Sequence, residues 1–221
     1  MKRLTTLIFS LSFATLIAAQ DAKQVFISMP DSILSILTNI NREDCIDFLA
    51  SNMKAKVKNR FDQESEMLHL TDNYISMQLA SNSFFEMKLL PINDSTRIIC
   101  TVQTICSQAC DSRIKFYTTQ WETLNASSFI SLPEKSDFVP DTIPTQIADT
   151  LSMSWRDLSS EADLLLVKAA LSDSLNTLTF EYTTPFYMDK TSASRFIPLL
   201  KRDKIQYDWT NNKFIRRQEE E

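Results

Sequence analysis

The chain contains no glycine among its 221 residues, whereas average usage near 7% would place about 15 in a protein of this length. Phosphate-cradling loops, dinucleotide-binding fingerprints and the G-x-S-x-G nucleophile elbow all need backbone positions that glycine occupies best. The absence therefore argues against these classes of enzyme. Turns must instead be built from Asn, Asp, Ser and Pro.

Histidine is nearly absent as well, since His69 is the only one. Catalysis by a Ser-His or Cys-His pair would have to use it. We predict that it lies on a strand, where a surface histidine needs no catalytic explanation. A hydrolase with a carboxylate pair stays as an alternative function, and the candidate acids are Glu64 and Glu66, or Asp157, Glu161 and Asp163. No motif predicts a cofactor or a metal site, and we favour a non-enzymatic function.

The first residues have the pattern of a secretory signal peptide. Lys2 and Arg3 precede an apolar run that ends in the small residues Ala18 and Ala19, as in signal peptides. This run is shorter than the about 20 strongly apolar residues of a spanning helix, and Thr and Ser dilute it. We therefore predict a signal peptide over residues 1–19, no stable membrane anchor after its cleavage, and a location in the periplasm or cell envelope.

The chain is acidic, with a formal net charge of −5. Loss of Lys2 and Arg3 with the signal peptide removes two positive charges and leaves −7 (−5 − 2). A negative protein repels the phosphate backbone, so we predict no nucleic-acid partner.

Four cysteines are present, and an oxidising compartment would permit disulfides between them. Cys106 and Cys110 flank a turn between two predicted strands, where they could face each other. Free buried thiols are one alternative. A metal site formed by Cys100, Cys106, Cys110 and His69 is another, although the spacing is not that of paired C-x-x-C knuckles.

An antiparallel sheet is the strongest prediction of the sequence, over residues 67–121. Polar and apolar residues alternate there with the period of a half-buried strand. Short clusters of turn residues separate the segments and leave no room for crossover helices, so hairpins join them most simply. The alternating segments span residues 74–79, 84–89, 97–106 and 114–121.

Helical patterns precede this sheet. Ile33, Ile36, Leu37 and Ile40 fit one face of a helix with Pro30 near its start, and Asn41 fits the N-cap of a second helix. Met53, Val57 and Phe61 are spaced by four and extend the helical pattern over residues 53–61. We expect a helical hairpin packed on the sheet.

A similar order of elements follows a segment rich in Ser, Thr and Pro. We predict an N-terminal α+β subdomain over residues 20–124, a linker over 125–150, a C-terminal α+β subdomain over 151–215 and a charged tail over 216–221. The C-terminal strands include residues 165–171, 178–182 and a terminal hairpin with its turn at Asn211-Asn212. The fold class is α+β, with two similar subdomains side by side as one arrangement.

Aromatic residues are the remaining candidates for a binding surface. A groove between two sheets could present them to an envelope protein, a peptide or a glycan. We therefore predict a binding or protein-interaction module, with a small-ligand or lipid carrier as a further alternative. The candidate residues are Phe84, Tyr117, Trp121, Trp155, Tyr187 and Trp209.

Three further segments resemble a known family. They are Met29-Pro30-Asp31-Ser32-Ile33-Leu34, Glu86-Met87-Lys88-Leu89-Leu90-Pro91, and Asp111-Ser112-Arg113-Ile114-Lys115-Phe116-Tyr117 with Trp121. The chain resembles, over essentially its whole mature length, exported Bacteroidales proteins grouped only as a domain of unknown function, DUF3256. The resemblance implies a Gram-negative envelope location and no catalytic residues.

One short pattern fits that source. Asp141-Thr142-Ile143 resembles the Asp-Ser/Thr-apolar sites at which Bacteroides-type systems O-glycosylate exported proteins. Asp-Ser and Asp-Thr pairs also cap helices and open turns. We predict modification at Thr142, within the linker.

Overall fold

The computed structural model describes residues 21–148 and 154–218, so the predicted signal peptide lies outside the described residues. Two antiparallel sheets form the framework, which confirms the α+β prediction. In the seven-stranded large sheet each strand pairs with its sequence neighbours, as expected for consecutive hairpins. Its strands are β1 (Lys56–Lys58), β2 (Glu64–Leu70), β3 (Tyr74–Ala80), β4 (Ser83–Pro91), β5 (Arg97–Cys106), β6 (Cys110–Thr118) and β7 (Thr123–Leu124).

Two helices cover one face of the large sheet, which we call the helix face. They are α1 (Ala22–Ile27) and α2 (Asn39–Ala50). A capping box starts α2, because Thr38 Oγ1 accepts from Asn41 N while Asn41 Oδ1 accepts from Thr38 N. Alternate strand residues pack under these helices and form the first core with Phe26, Leu37, Cys45 and Ile46; they include Ile75, Met77, Phe85, Met87 and Ile99.

The helix predicted to begin near Pro30 is wrong. Turns occupy residues 31–37 instead, and the first helix precedes them. Arg42, only 1% exposed, organises these turns from α2: its Nη1 donates to Leu37 O and to Asp31 Oδ1, both at 3.1 Å. A buried guanidinium needs such partners, and the turns supply carbonyls that a helix would have used internally.

The helix predicted over residues 53–61 is also wrong, because β1 lies there. Residues four apart share a face in a strand as well as in a helix, so the spacing of Met53, Val57 and Phe61 does not distinguish the two. The alternation Lys56-Val57-Lys58 does: Val57 is buried, whereas the lysines pair with Glu66 and Glu64 across the strands.

A four-stranded small sheet follows in the second half of the chain. Its strands are β8 (Val167–Leu171), β9 (Thr177–Tyr182), β10 (Lys204–Thr210) and β11 (Lys213–Arg216), in the order β11-β10-β9-β8. The turn predicted at Asn211 and Asn212 is confirmed, and both residues have positive φ (52° and 62°), which Asn tolerates well.

Three short helices pack on the small sheet through buried residues of the second core: α3 (Lys135–Phe138), α5 (Trp155–Glu161) and α6 (Lys190–Phe196). The described part of this half also contains the helix α4 (Thr145–Ala148). The second core joins these elements to the other face of the large sheet through Leu90, Cys100, Val102, Phe116, Phe138, Leu158, Phe180 and Phe196. Ile130, Phe138 and Val139 of the predicted linker are buried in it. Arg217 of the predicted tail donates from Nε to Asp208 Oδ2 at 2.8 Å.

The edge strand β8 of the small sheet packs against the large sheet. The three outward backbone N–H groups of β8 donate to side chains that rise from the large sheet. Val167 N lies 3.3 Å from Asp111 Oδ1, Ala169 N lies 2.9 Å from Ser112 Oγ, and Leu171 N lies 3.1 Å from Glu86 Oε2. The part of the large sheet beside β8 is not covered by the small sheet.

Candidate functional site

An open cleft lies where the small sheet leaves the large sheet uncovered. Its floor is the second face of the large sheet, over β1–β4, and its wall is the polar side of β8. Two cavities adjoin in it, because Gln78 of the first pairs across the strands with Phe84 of the second. They measure about 460 and about 310 Å³. We call this region the cleft and this side of the sheet the cleft face.

A β-bulge places His69 in the cleft. Met67 pairs with Met77 and His69 pairs with Ser76, so Leu68 is an extra residue. Without it, His69 would point to the helix face, since side chains alternate along a strand. Leu68 itself is 45% exposed at the cleft, which is what a bulge residue without a partner permits.

His69, Ser76 and Glu86 form a row across β2, β3 and β4. Ser76 stands between the other two. In a catalytic triad the histidine stands between the serine and the acid, so this order does not form one. Glu86 is held on both sides: Oε1 accepts from Tyr74 Oη at 2.6 Å and Oε2 accepts from Leu171 N at 3.1 Å. Burial raises the pKa of Glu86, although both bonds oppose the rise.

Lys88, on the same face of β4 as Glu86, also joins the large sheet to the small sheet. It is fully buried, and its Nζ donates to Ser172 O at 2.8 Å and to Asp173 O at 3.2 Å. The ammonium also lies 5.6 Å from the centroid of the Tyr74 ring, within cation–π range. Burial lowers the pKa of Lys88. Glu86 and Lys88 thus attach the end of β8 and the start of the turn after it to the large sheet.

The outer end of the cleft is polar and charged. Lys56 Nζ lies 2.7 Å from Glu64 Oε2 and 3.9 Å from Glu66 Oε2. Its hydrogen bond to Glu64 lowers the pKa of that carboxyl, so Glu64 stays ionised, whereas a general acid needs a raised pKa. The two acids predicted for a hydrolase thus both line the cleft, but in ion pairs with lysine. Asp157 lies instead at the start of α5, where Ser154 Oγ donates to it.

The six aromatic candidates do not share one groove. Phe84 alone among them lines a cleft cavity, and it is half-buried. Tyr117 and Trp121 belong to the first core, with ring centroids 5.3 Å apart. Trp121 adopts a positive φ of 67°, and its Nε1 donates to Val25 O at 3.0 Å.

The other three lie around the second core. Trp155 stacks on Phe196, with centroids 5.6 Å apart. The Nε1 group of Trp209 donates to Pro91 O at 2.8 Å, which ties β10 to the end of β4. Tyr187 is 54% exposed beyond β9. Packing and hydrogen bonding account for the two tryptophans, and Tyr187 stays an isolated surface ring.

The cysteines fall into a bonded pair and two buried thiols. Cys106 and Cys110 are joined across the β5–β6 turn. Burial raises the pKa of Cys45 to about 11 and also raises that of Cys100. Among residues 21–148 and 154–218, no group of three or more His, Cys, Asp or Glu side chains is placed to hold a metal ion.

Thr142, the predicted glycosylation site, is exposed next to the exposed Asp141. A transferase could reach it there. Over the ranges that the structure describes, no helix is long and apolar enough to cross a membrane.

Sequence reasoning missed most polar residues of the cleft, among them Ser76, Gln78, Glu86 and Lys168. These four lie at alternate positions of their strands, opposite the apolar residues of the predicted alternation. One signal for the site was present. Along β2, the residues that face the helices have odd numbers at Ser65 and Met67 but an even number at Leu70. Such a break in the alternation marks a bulge.

Comparison with known proteins identifies the family. A family model described as "Protein of unknown function (DUF3256)" matches residues 14–214. The chain belongs to this family. A solved structure is similar to this DUF3256 chain, that of a domain of an uncharacterized protein from Porphyromonas gingivalis W83. It has 25% sequence identity and a TM-score of 0.76, over 90% of this chain and 99% of that one. No curated protein matches.

Proposed function

We propose that this DUF3256 chain is an exported, non-enzymatic binding module of the periplasm or cell envelope, whose ligand occupies the cleft. The observation that supports this is the cleft itself: an open concavity between two sheets, with a half-buried aromatic ring and convergent polar side chains. Binding sites commonly combine these features.

Export is supported by two observations. The N-terminal sequence has the signal-peptide pattern, and the sulfurs of Cys106 and Cys110 are bonded. Disulfides persist in oxidising compartments and are rare in the cytosol.

The hydrolase alternative has weaker support. Glu86 has the raised pKa that a general acid needs, but both of its oxygens accept hydrogen bonds within the protein. Glu64 is held ionised by Lys56. A lipid carrier needs an enclosed apolar chamber, and neither cleft cavity is one, because charged side chains line both.

His69 makes the proposal directly testable, because it is the only histidine of the chain and it lines the cleft. Its imidazole proton resonances in an untagged protein report on the cleft without overlap from another histidine. We expect a solubilised envelope extract from the native host to shift or broaden them. Phe84→Ala should abolish the change, and Phe186→Ala, which removes a 57% exposed ring outside both cavities, should preserve it.

Two results would contradict the proposal. One is an unchanged His69 spectrum at every extract concentration. The other is a change of equal size in the Phe84→Ala variant, since the extract would then act on His69 without using the aromatic ring that supports the cleft as the binding site.

A further inference from the structure

The edges of both sheets are closed to an added peptide strand. The large sheet ends in β1, of three residues, and β7, of two, and Asn41 Nδ2 donates to Lys58 O beside β1. Phe129 O accepts from Phe214 N on β11, and side chains of the large sheet cap β8. Recognition of a peptide main chain by strand addition needs a free edge. In the described part of the chain, these edges do not offer one.

The cleft floor therefore recognises its ligand through side chains. Backbone N–H and C=O groups of the inner strands β2–β4 are used in the ladders. The side chains above them are a mixture of donors and acceptors: Lys56 and Lys168 donate, Glu66 accepts, and Gln78 does both. A ligand with many hydroxyl groups matches this mixture, because each hydroxyl both donates and accepts.

Charge on the lining is nearly balanced. The ammonium groups of Lys56 and Lys168 face the carboxyl groups of Glu64, Glu66 and Glu86. Two of the carboxyl groups already lie within 4 Å of Lys56 Nζ, and Glu86 is held by Tyr74 and Leu171. Neither a polyanion nor a polycation would find complementary charge here. An uncharged ligand fits best.

Phe84 supplies the apolar contact. It is half-buried where the two cavities adjoin, next to Gln78 on β3 and Thr104 on β5. The Phe84 ring and the exposed Leu68, with polar side chains such as Ser76 and Thr104 beside them, suit a ligand with one apolar face and a polar rim, as the C–H face of a pyranose ring has. An extended lipid would need a continuous apolar lining instead.

We propose that the cleft ligand is a neutral, hydroxyl-rich oligosaccharide, whose ring lies on Phe84 and whose hydroxyl groups bond to Gln78, Lys56 and the adjacent carboxylates. This inference rests on the proposed function, since it names the ligand class of the same cleft. Water bridges over the open floor would complete the hydrogen bonds.

The test again reads the His69 resonances, now with two treatments of the envelope extract. Periodate, quenched before use, cleaves the vicinal diols of sugars; exhaustive protease digestion followed by heat destroys proteins. We expect the effect of the extract on the His69 resonances to survive the protease treatment and to be lost after the periodate treatment. A panel of neutral hexasaccharides should contain at least one that reproduces the shift, whereas hexapeptides of mixed sequence should not.

The variants locate the contacts. Gln78→Ala and Phe84→Ala should each weaken binding of the active hexasaccharide about tenfold or more, because each removes one hydrogen-bonding group or the stacking surface. Phe186→Ala should leave the affinity unchanged.

The outcomes separate the two proposals. An extract activity that protease destroys would overturn the oligosaccharide inference while the binding function stands, with a peptide or protein as the ligand. Failure of every hexasaccharide, or a hexasaccharide bound equally by Phe84→Ala, would also overturn it. An untreated extract without any effect on His69 would instead contradict the binding function itself.

Discussion

The two faces of the large sheet are held by different interactions. On the helix face, apolar side chains such as Phe85 and Met87 are buried under α1 and α2. On the cleft face, polar side chains of the same strand, Glu86 and Lys88, bond to the backbone at the end of β8 and just after it. Alternation along β4 thus gives one strand two roles. Apolar cores pack on both faces, and on the cleft face directional hydrogen bonds additionally set the position of the small sheet and the width of the cleft.

The largest effect should come from the helix face. Phe85 is fully buried, with its ring centroid 6.3 Å from that of Phe26. Phe85→Ala leaves a cavity in a packed core, so we expect a loss of about 4 kcal/mol in the free energy of unfolding, measured by denaturant titration. Phe61→Ala removes a ring that is 70% exposed and should change stability by less than about 0.5 kcal/mol. Equal losses in both variants would refute this view of the helix face.

On the cleft face, changing one atom of a buried polar side chain should lower the free energy of unfolding more than the apolar surface of that side chain suggests. Glu86→Gln replaces one acceptor oxygen by an amide donor. If the amide faces Leu171 N, two donors meet; if it faces Tyr74 Oη, it donates to the hydroxyl oxygen and the Tyr74 O–H loses the carboxylate as its acceptor. We expect a loss of about 2 to 3 kcal/mol, because a buried donor is left without a partner. Glu43→Gln on α2, whose carboxyl accepts an exposed bond from Asn39 Nδ2, is the matched control. A Glu86→Gln variant as stable as its control would show that the junction does not depend on this carboxylate.

The raised pKa of Glu86 also makes the stability of the protein depend on pH. Burial raises the pKa of Glu86 above its usual range. Near its ordinary pKa, the folded state therefore retains a proton that the unfolded state releases. This contribution to stability is complete below the unfolded pKa and is lost as the pH rises through the raised folded pKa. The difference in unfolding free energy between wild type and Glu86→Gln should follow this slope from mild acid to neutral pH; a flat difference would contradict it.

A smaller effect should follow from removal of the Cys106–Cys110 bond. The hairpin tip that it closes touches the small sheet, since Thr183 Oγ1 donates to Cys110 O. The bonded residues are four apart in sequence, and for so short a loop the lost chain constraint is at most about 2 kcal/mol. The double variant Cys106→Ser, Cys110→Ser should thus lose less stability than Phe85→Ala, by the same denaturant titration.

Thiol titration gives an independent check of the cysteines. The buried thiols of Cys45 and Cys100, whose pKa values burial raises, should react with a thiol reagent only after denaturation. Two thiols per chain should then appear without a reductant, and four with one. Four thiols without reduction would rule out the bond.

The smallest effect belongs to Thr142, which lies on neither face of the large sheet. Its side chain is exposed, so a glycan there should leave the unfolding free energy unchanged. Protein from the native host should have an intact mass above that of the polypeptide, and Thr142→Ala should remove the increment assigned to this residue. An unmodified mass would refute the prediction.

Strand alternation made most of the framework predictable. The pairing of β3 to β6 follows from period-two patterns with short turns between them. The helix predicted from Ile33 to Ile40 failed because Arg42, on the following helix α2, binds the backbone of the turns. Nothing local in Met29 to Leu37 encodes that contact.

The candidate site was less predictable for a related reason. Its floor depends on how two sheets meet, which is a set of contacts between residues about 55 to 85 positions apart, such as Ala169 N with Ser112 Oγ and Leu171 N with Glu86 Oε2. Phe84 was anticipated by its place on a strand. His69 reached the same cleft only through the bulge at Leu68, and most of the other aromatic candidates proved to pack in the cores.

The capped edge of β8 also bears on how the molecule avoids self-association. Its N–H groups are covered only by side chains that precede them in the chain. A nascent chain in which the large sheet has already formed can cover β8 as soon as that strand emerges. In a chain that folds in the opposite order, or in which the sheets separate, β8 would offer an open ladder to a neighbouring copy, the usual start of β-aggregation. In the folded chain, Asp111, Ser112 and Glu86 therefore cover the outward N–H groups of β8, which would otherwise be open to pairing with a neighbouring copy.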